Sequence, residues 1–161
     1  MASTAKTLTF VIPAYNMESY LDRCVNSLLS ASDISDLEVL IVDDGSKDGT
    51  LEYARKLERT NPGTVRAIHQ ENKGHGGAVN TGIAAATGMY VKVVDADDWV
   101  DPQAIDTVLA TLRAQHDTDE PIDMLVTNYV YDKVAKRHKT VVNFRRVMEA
   151  GRVLGWDDLG K

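Results

Sequence analysis

Asp95, Asp97 and Asp98 place three carboxylates within four residues at the end of Val93-Val94-Asp95-Ala96-Asp97-Asp98. Like charges this close repel, and they stay ionised together only beside a cation or a strong set of donors. In an extended chain, side chains two residues apart leave the same face, which predicts Asp95 and Asp97 on one side. All-oxygen ligands suit a hard ion, Mg2+ or Mn2+, shared with substrate phosphate. The plainer alternative is an acidic turn, with Asp101 capping the next helix. What precedes favours a site. Met89-Tyr90-Val91-Lys92-Val93-Val94 is rich in β-branched residues and predicts a buried strand. Open α/β sheets place their ligands at the carboxyl ends of such strands.

Two more polar clusters follow apolar runs. Pro13-Ala14-Tyr15-Asn16 comes after a strand predicted at 8–12 and stopped by Pro13, and Asp43-Asp44-Gly45-Ser46 comes after one predicted at 37–42. Turn chemistry explains one such cluster, whereas three on one sheet edge make a site the better explanation. Asp43 and Asp44 cannot both be buried without partners, and one of them can accept hydrogen bonds from a nucleobase amide. Asn72-Lys73-Gly74-His75-Gly76-Gly77 predicts a glycine-rich loop before a helix N-terminus, suited to a phosphate or to close helix–sheet approach. Val79 stands where a dinucleotide fingerprint needs its third glycine, and Walker A is absent. Lys73 is the one cation placed near this site, and His75 is a weaker candidate for a phosphate contact. Trp99 either stacks on a sugar or covers the core.

The elements that must position these residues alternate. A helix after Asn16, its expected cap, carries Tyr20, Leu21, Cys24, Val25, Leu28 and Leu29. A second follows Gly49, and a third runs through Ala86. A fourth, opened by Pro102, carries Ile105, Val108, Leu109 and Leu112. A weaker strand is expected from Val65 to His69. Residues 124–131 and 140–144 predict an antiparallel pair around a basic turn at 133–139, most simply a solvated tip. Strands alternating with helices imply βαβ units, a mainly parallel sheet and a three-layer α/β/α sandwich. After about residue 147 the pattern fades.

The chain has 161 residues, one domain's worth, and a formal charge of −6, which argues against nucleic-acid binding. Its single cysteine, Cys24, lies in an apolar helical stripe and reads as a buried, inert thiol. No apolar leader or bilayer-length segment is seen, so a cytoplasmic protein is expected, with peripheral membrane association left open. The histidines lack zinc-ligand spacing, and no GxSxG nucleophile turn is present.

In order and spacing, several segments resemble the inverting family 2 glycosyltransferases of GT-A fold. They are Val11-Ile12-Pro13-Ala14-Tyr15-Asn16, Val42-Asp43-Asp44-Gly45-Ser46 with Asp48-Gly49-Thr50, Asn72-Lys73-Gly74 with Gly77-Ala78 and Asn80-Thr81-Gly82, and Asp95-Ala96-Asp97-Asp98 with Pro102. The resemblance implies transfer of a sugar from a nucleotide-diphosphate donor, UDP-linked in many members, to a saccharide or lipid-linked acceptor. It implies that Pro13, Ala14 and Tyr15 lie along the nucleoside, that Asp44 with Asp43 meets the base, and that Asn72 and Lys73 lie near the nucleoside. Asp95, beside Ala96, would meet the ribose or the metal, and Asp97 would hold Mn2+ or Mg2+ at the diphosphate.

Two departures stand out. Val79 precedes Asn80 where family members commonly carry arginine. The catalytic base, an acid beyond the DxD region, has no counterpart between 121 and 161 except, by composition alone, Asp157-Asp158. The expected organisation is a donor-binding GT-A domain at 1–146, then the start of an acceptor-side region at 147–161, as in the donor half of a longer enzyme. A non-catalytic nucleotide-binding module is the rival. A sugar nucleotidyltransferase would need a glycine-rich, arginine-containing loop after the first strand. A DxDxT phosphatase would need threonine at Trp99.

Overall fold

The structure is a computed structural model that describes residues 6–116, 118–132 and 139–158. The chain divides into two compact units, Met1–Asp117 and Thr118–Lys161.

In the first unit, strands β1 (Lys6–Ala14), β2 (Leu37–Asp44), β3 (Val65–Gln70) and β4 (Gly88–Val93) alternate with helices α1 (Glu18–Leu28), α2 (Thr50–Thr60) and α3 (Gly74–Ala85), and α4 (Pro102–His116) follows. The sheet has the order β3-β2-β1-β4, and every pairing is parallel. All four strands therefore end on one edge, where the three polar clusters lie. The expected parallel α/β architecture is present.

Alternation along the strands divides the core. Val11, Leu40 and Val42 pack with Ala78 of α3, flanked by Ile68, Ala85, Ala86 and Val93. Phe10, Ile12, Val39 and Ile41 take the opposite strand phase and are also buried. On α1 the residues Leu21, Cys24, Val25 and Leu28 are fully buried, each worth about 2 kcal/mol relative to exposure. Tyr20, expected in that stripe, is 53% exposed. Gly82 allows α3 its close approach, because a Cβ there would collide with Val11 Cγ1.

Several boundaries differ from the sequence expectation. Pro13 does not stop β1; it pairs in register with Val42. Val94 N–H donates to Val11 O, so the proline's missing N–H lies on the β4 side, beyond the end of that strand. β2 continues through Asp43 and Asp44, which were expected in the turn. α3 starts at Gly74, so the glycines expected in a loop form its first turn. Asn16 does not cap α1, whose N-cap is Met17 without a side-chain hydrogen bond. Asp101 caps α4 as expected, its Oδ1 accepting from Gln103 N–H at 2.9 Å and Ala104 N–H at 3.0 Å.

In the second unit, β5 (Tyr129–Tyr131) and β6 (Thr140–Val142) pair antiparallel, over shorter spans than expected. The Tyr129 ring meets Tyr131 edge-on at 5.3 Å. Lys139 pairs with Asp132 at 2.7 Å, while the rest of the expected basic turn, 133–138, lies outside the described residues. No helix among the described residues is long and apolar enough to cross a membrane.

Candidate functional site

Parallel register sets the chemistry at the end of β2. Asp43 lies opposite His69 and Asp44 opposite Gln70 on β3. Adjacent strand residues face opposite sides of a sheet, so these neighbouring acids have separate surroundings. Asp44, 2% exposed, is held through one oxygen: its Oδ1 accepts from Gln70 Nε2 at 2.7 Å and from Lys73 N–H at 2.8 Å. Gln70 is held in turn by the Thr81 hydroxyl of α3 at 2.5 Å. Burial pushes the Asp44 carboxyl up, but these donors more than offset it and leave it below the usual carboxylate range. Asp43, 1% exposed, differs. Its Oδ2 meets His69 Nδ1 at 2.7 Å, while its Oδ1 is buried with no hydrogen-bond partner. One proton lies between the two, on whichever partner donates it. The unused oxygen is an acceptor of the kind that a buried ligand amide satisfies.

A cavity of about 300 Å³ opens beside His69, lined by Tyr15, Gly45, Ser46, Lys47, His69, Glu71 and Asn72. Asp43 is not among its lining residues and meets the cavity through His69. Gly45 makes the turn under it with φ +72, and a Cβ there would lie 3.0 Å from Asn72 N. Asn72 closes the floor by donating to Asp44 O at 2.9 Å. Pro13 and Ala14, expected along the nucleoside, are buried and do not line the cavity, whereas Tyr15, 45% exposed, does. Lys47 lines the cavity, so Lys73 is not the only nearby cation. Lys73 contributes its backbone N–H to Asp44 instead. A depression of about 250 Å³ between Glu18 and Arg59 lies among the polar side chains of α1 and α2, away from the acidic groups at the strand ends.

The acidic run sits at the end of β4, on the other side of β1. It is not extended as expected: Asp98 N–H donates to Asp95 O at 2.9 Å and closes a turn. Ala96 is 2% exposed, and Asp95 and Asp97 are both exposed. His75, in the first turn of α3, brings Nε2 within 3.8 Å of Asp95 Oδ1. That end of a helix carries unpaired N–H groups and partial positive charge. The Asp98 carboxyl is pushed up by burial, then by the charges of Asp97 and Asp95. Cys24 lies beneath, its thiol donating to Asp95 O at 3.7 Å and pushed up to about 12 by burial first and then by the three acids. It is buried and inert, as expected.

Among the described residues, no group of three or more His, Cys, Asp and Glu side chains is arranged to hold an ion alone. The turn fits a shared site instead: two exposed carboxylates, hard oxygens only, with mutual repulsion that a divalent charge would relieve. Asp158, considered as a base, binds Arg152 at 3.3 Å and Gly155 N–H at 2.9 Å.

The family model described as glycosyl transferase family 2 matches residues 9–146. The chain belongs to glycosyl transferase family 2. Chondroitin synthase of Escherichia coli is 42% identical over 106 residues, covering 66% of this chain and 15% of that protein. The crystal structure of Staphylococcus aureus TarS 1-349 in complex with UDP-GlcNAc superposes with a TM-score of 0.61 at 29% identity, over 68% of this chain and 32% of that one. The mannosyltransferase PcManGT from Pyrobaculum calidifontis, in complex with GDP-Man and Mn2+, gives 0.58 at 26% identity, over 66% and 32%. This chain thus spans at most about a third of these relatives. The parallel sheet and flanking helices are those of the GT-A glycosyltransferases.

Within this family 2 fold, sequence reasoning missed His69, Lys47 and Glu71 as cavity residues. The signal for His69 was its position at the end of a strand, but only the register with Asp43 gave it a partner.

Proposed function

We propose that this chain is the donor-binding domain of a glycosyltransferase, taking a nucleotide-diphosphate sugar, UDP-linked, with Mn2+ or Mg2+. The observation that carries the proposal is one sheet edge bearing two complementary features. One is the buried, half-satisfied Asp43 carboxylate beside a cavity at β2 and β3. The other is the exposed Asp95–Asp97 turn at β4. Two strand spacings separate the ends of β2 and β4, roughly 10 Å, a span suited to a nucleoside diphosphate.

The base lies in the cavity with Tyr15 and donates to Asp43, and Asn72 and Lys47 flank the nucleoside. Asp44 acts from behind by fixing the Asn72-Lys73 backbone. Asp95 and Asp97 hold the ion, and the first turn of α3 faces the diphosphate. When bound there, such an ion would supply positive charge to the diphosphate and to the charge that develops on it as it leaves. The acceptor hydroxyl then attacks the anomeric carbon from the opposite face, with inversion, and a base takes its proton. Donor binding belongs to residues 1–146; the base and the saccharide or lipid-linked acceptor belong to the longer protein.

The test is calorimetric titration of the 161-residue chain with UDP and GDP, with and without Mn2+. UDP is expected to bind at least tenfold more tightly with Mn2+, and Asp97→Ala to abolish that gain. A preference for GDP would move the donor to the guanosine class named for PcManGT. A folded chain that binds neither nucleotide would sink the proposal.

A further inference from the structure

One helix grips the acidic turn from behind. Arg23, Cys24 and Ser27 of α1 sit at i, i+1 and i+4, and each holds a different part of residues 95–100. Cys24 Sγ donates to Asp95 O at 3.7 Å, Ser27 Oγ accepts from Val100 N–H at 3.0 Å, and the Arg23 guanidinium carbon lies 3.3 Å from the centre of the Trp99 ring. Ser27 Oγ itself donates to Cys24 O at 2.7 Å, which fixes the lone pair offered to Val100. Trp99 is still 38% exposed, so burial alone does not lock it. A cation over an indole face is attracted by the ring quadrupole, and a planar guanidinium stacks there.

The turn needs such a hold. Its own closure is the Asp98–Asp95 backbone bond, and its carboxylates repel. The other end of α1 is tied elsewhere. Asn16 N–H donates to Ser46 Oγ at 3.0 Å, Asn16 Oδ1 accepts from Lys47 N–H at 2.8 Å, and Met17 N–H donates to Thr50 Oγ1 at 2.7 Å. Ser46 and Lys47 line the cavity. One rigid helix therefore spans both halves of the proposed donor site.

We infer that Arg23, stacked on Trp99 with Ser27 on Val100, is a positioning residue that presents Asp95 and Asp97 to the divalent ion. This rests on the donor-site reading above. Arg23 is exposed, so its replacement leaves the core intact.

Two measurements test it on Arg23→Gln, Arg23→Lys and Ser27→Ala. Hydrogen exchange of the Asp98 and Val100 amides is followed without metal, and Mn2+ affinity is measured by calorimetry in saturating UDP. Arg23→Gln is expected to speed exchange at both amides several-fold and to weaken Mn2+ about tenfold. Arg23→Lys, which keeps a cation over the ring, is expected to fall between Arg23→Gln and the parent. Ser27→Ala is expected to speed exchange at Val100 most. UDP binding without metal and the melting temperature are expected to stay near the parent values. Parental exchange and Mn2+ affinity in Arg23→Gln would overturn the inference. So would parallel losses in metal-free UDP affinity and melting temperature, which would mark a merely structural role. If Asp97→Ala leaves Mn2+ binding intact, the donor-site reading fails instead, and the exchange rates still report on the clamp.

Discussion

Asp43 and Asp44 are adjacent, both buried and both acidic, yet they do different work. Asp44 satisfies Gln70 Nε2 and the Lys73 N–H, while Asp43 keeps one oxygen without a partner. Removing a buried acceptor strands its donors, at about 1–3 kcal/mol. Asp44→Ala should therefore lower stability to urea by about that much and disturb the loop at Asn72. Asp43→Asn keeps the shape and one acceptor. It strands a buried amide N–H at the unpartnered position, at about 1–3 kcal/mol, and is expected to weaken UDP binding at least tenfold, because the carboxylate proposed to receive the base is gone. Paired urea and calorimetric titrations distinguish the two, and equal losses of stability with equal UDP affinity would contradict the division of labour.

Among the elements, the turns after β1 and β2 latch onto each other. Asn16 has a left-handed backbone, φ 55, and exchanges hydrogen bonds with Ser46 and Lys47. Asp48 accepts from the Thr50 N–H and hydroxyl and from Glu18 N–H, and Glu18 accepts from Gly49 N–H at 3.1 Å. The Asp-Gly-Ser and Asp-Gly-Thr segments thus hold α1 and α2 together, and Gly45, Ser46 and Lys47 also line the cavity. Asn16→Ala loses a side-chain acceptor and puts a Cβ residue without asparagine's local stabilisation in the left-handed region, at about 1–2 kcal/mol. Asn16→Gly keeps the backbone conformation and should cost less. Chemical denaturation checks the order, and two variants as stable as the parent would show the latch to be dispensable.

At the scale of the first unit, α4 is fastened to the loop before β2. Arg113 donates through Nε to Asp36 at 2.9 Å, makes a second close bond to that carboxylate through Nη2, and reaches Asp33 O at 2.9 Å. The Arg113 hydrogen bond is the main cause that holds the Asp36 carboxyl at about 2 rather than 3.8. A depressed carboxyl stabilises the fold above its unfolded pKa, and that stabilisation is lost as pH falls through the folded value. The contribution is therefore complete above about pH 4 and disappears towards about pH 2. Arg113→Ala should cost about 1 kcal/mol at neutral pH and flatten the loss of stability across that window. Thermal melts from pH 5 to 2 measure it, and identical slopes in parent and variant would remove Asp36 as the source.

Much of this molecule is legible along the chain. The apolar run at 39–42, ending in Asp43 and Asp44, marks β2 and its carboxyl edge, because a strand buried on both faces must be apolar until it emerges. By contrast β4, expected to be buried, lies at the sheet edge with Met89 and Val91 exposed. Asp101 before Pro102 announces α4 because capping is local chemistry. The ordered clusters announce the family. What sequence does not carry is pairing. Pro13 continues β1 because the neighbouring strand stops short. His69 gains a role because parallel register sets it opposite Asp43. Asp43 and Asp44 separate because a strand, not a turn, contains them. Arg23 meets Trp99 across 76 positions because α1 packs under the turn. Local propensity and spacing follow from neighbours in the chain, whereas a partner's identity depends on which strand lies alongside and which helix face turns inward. Folding alone decides both.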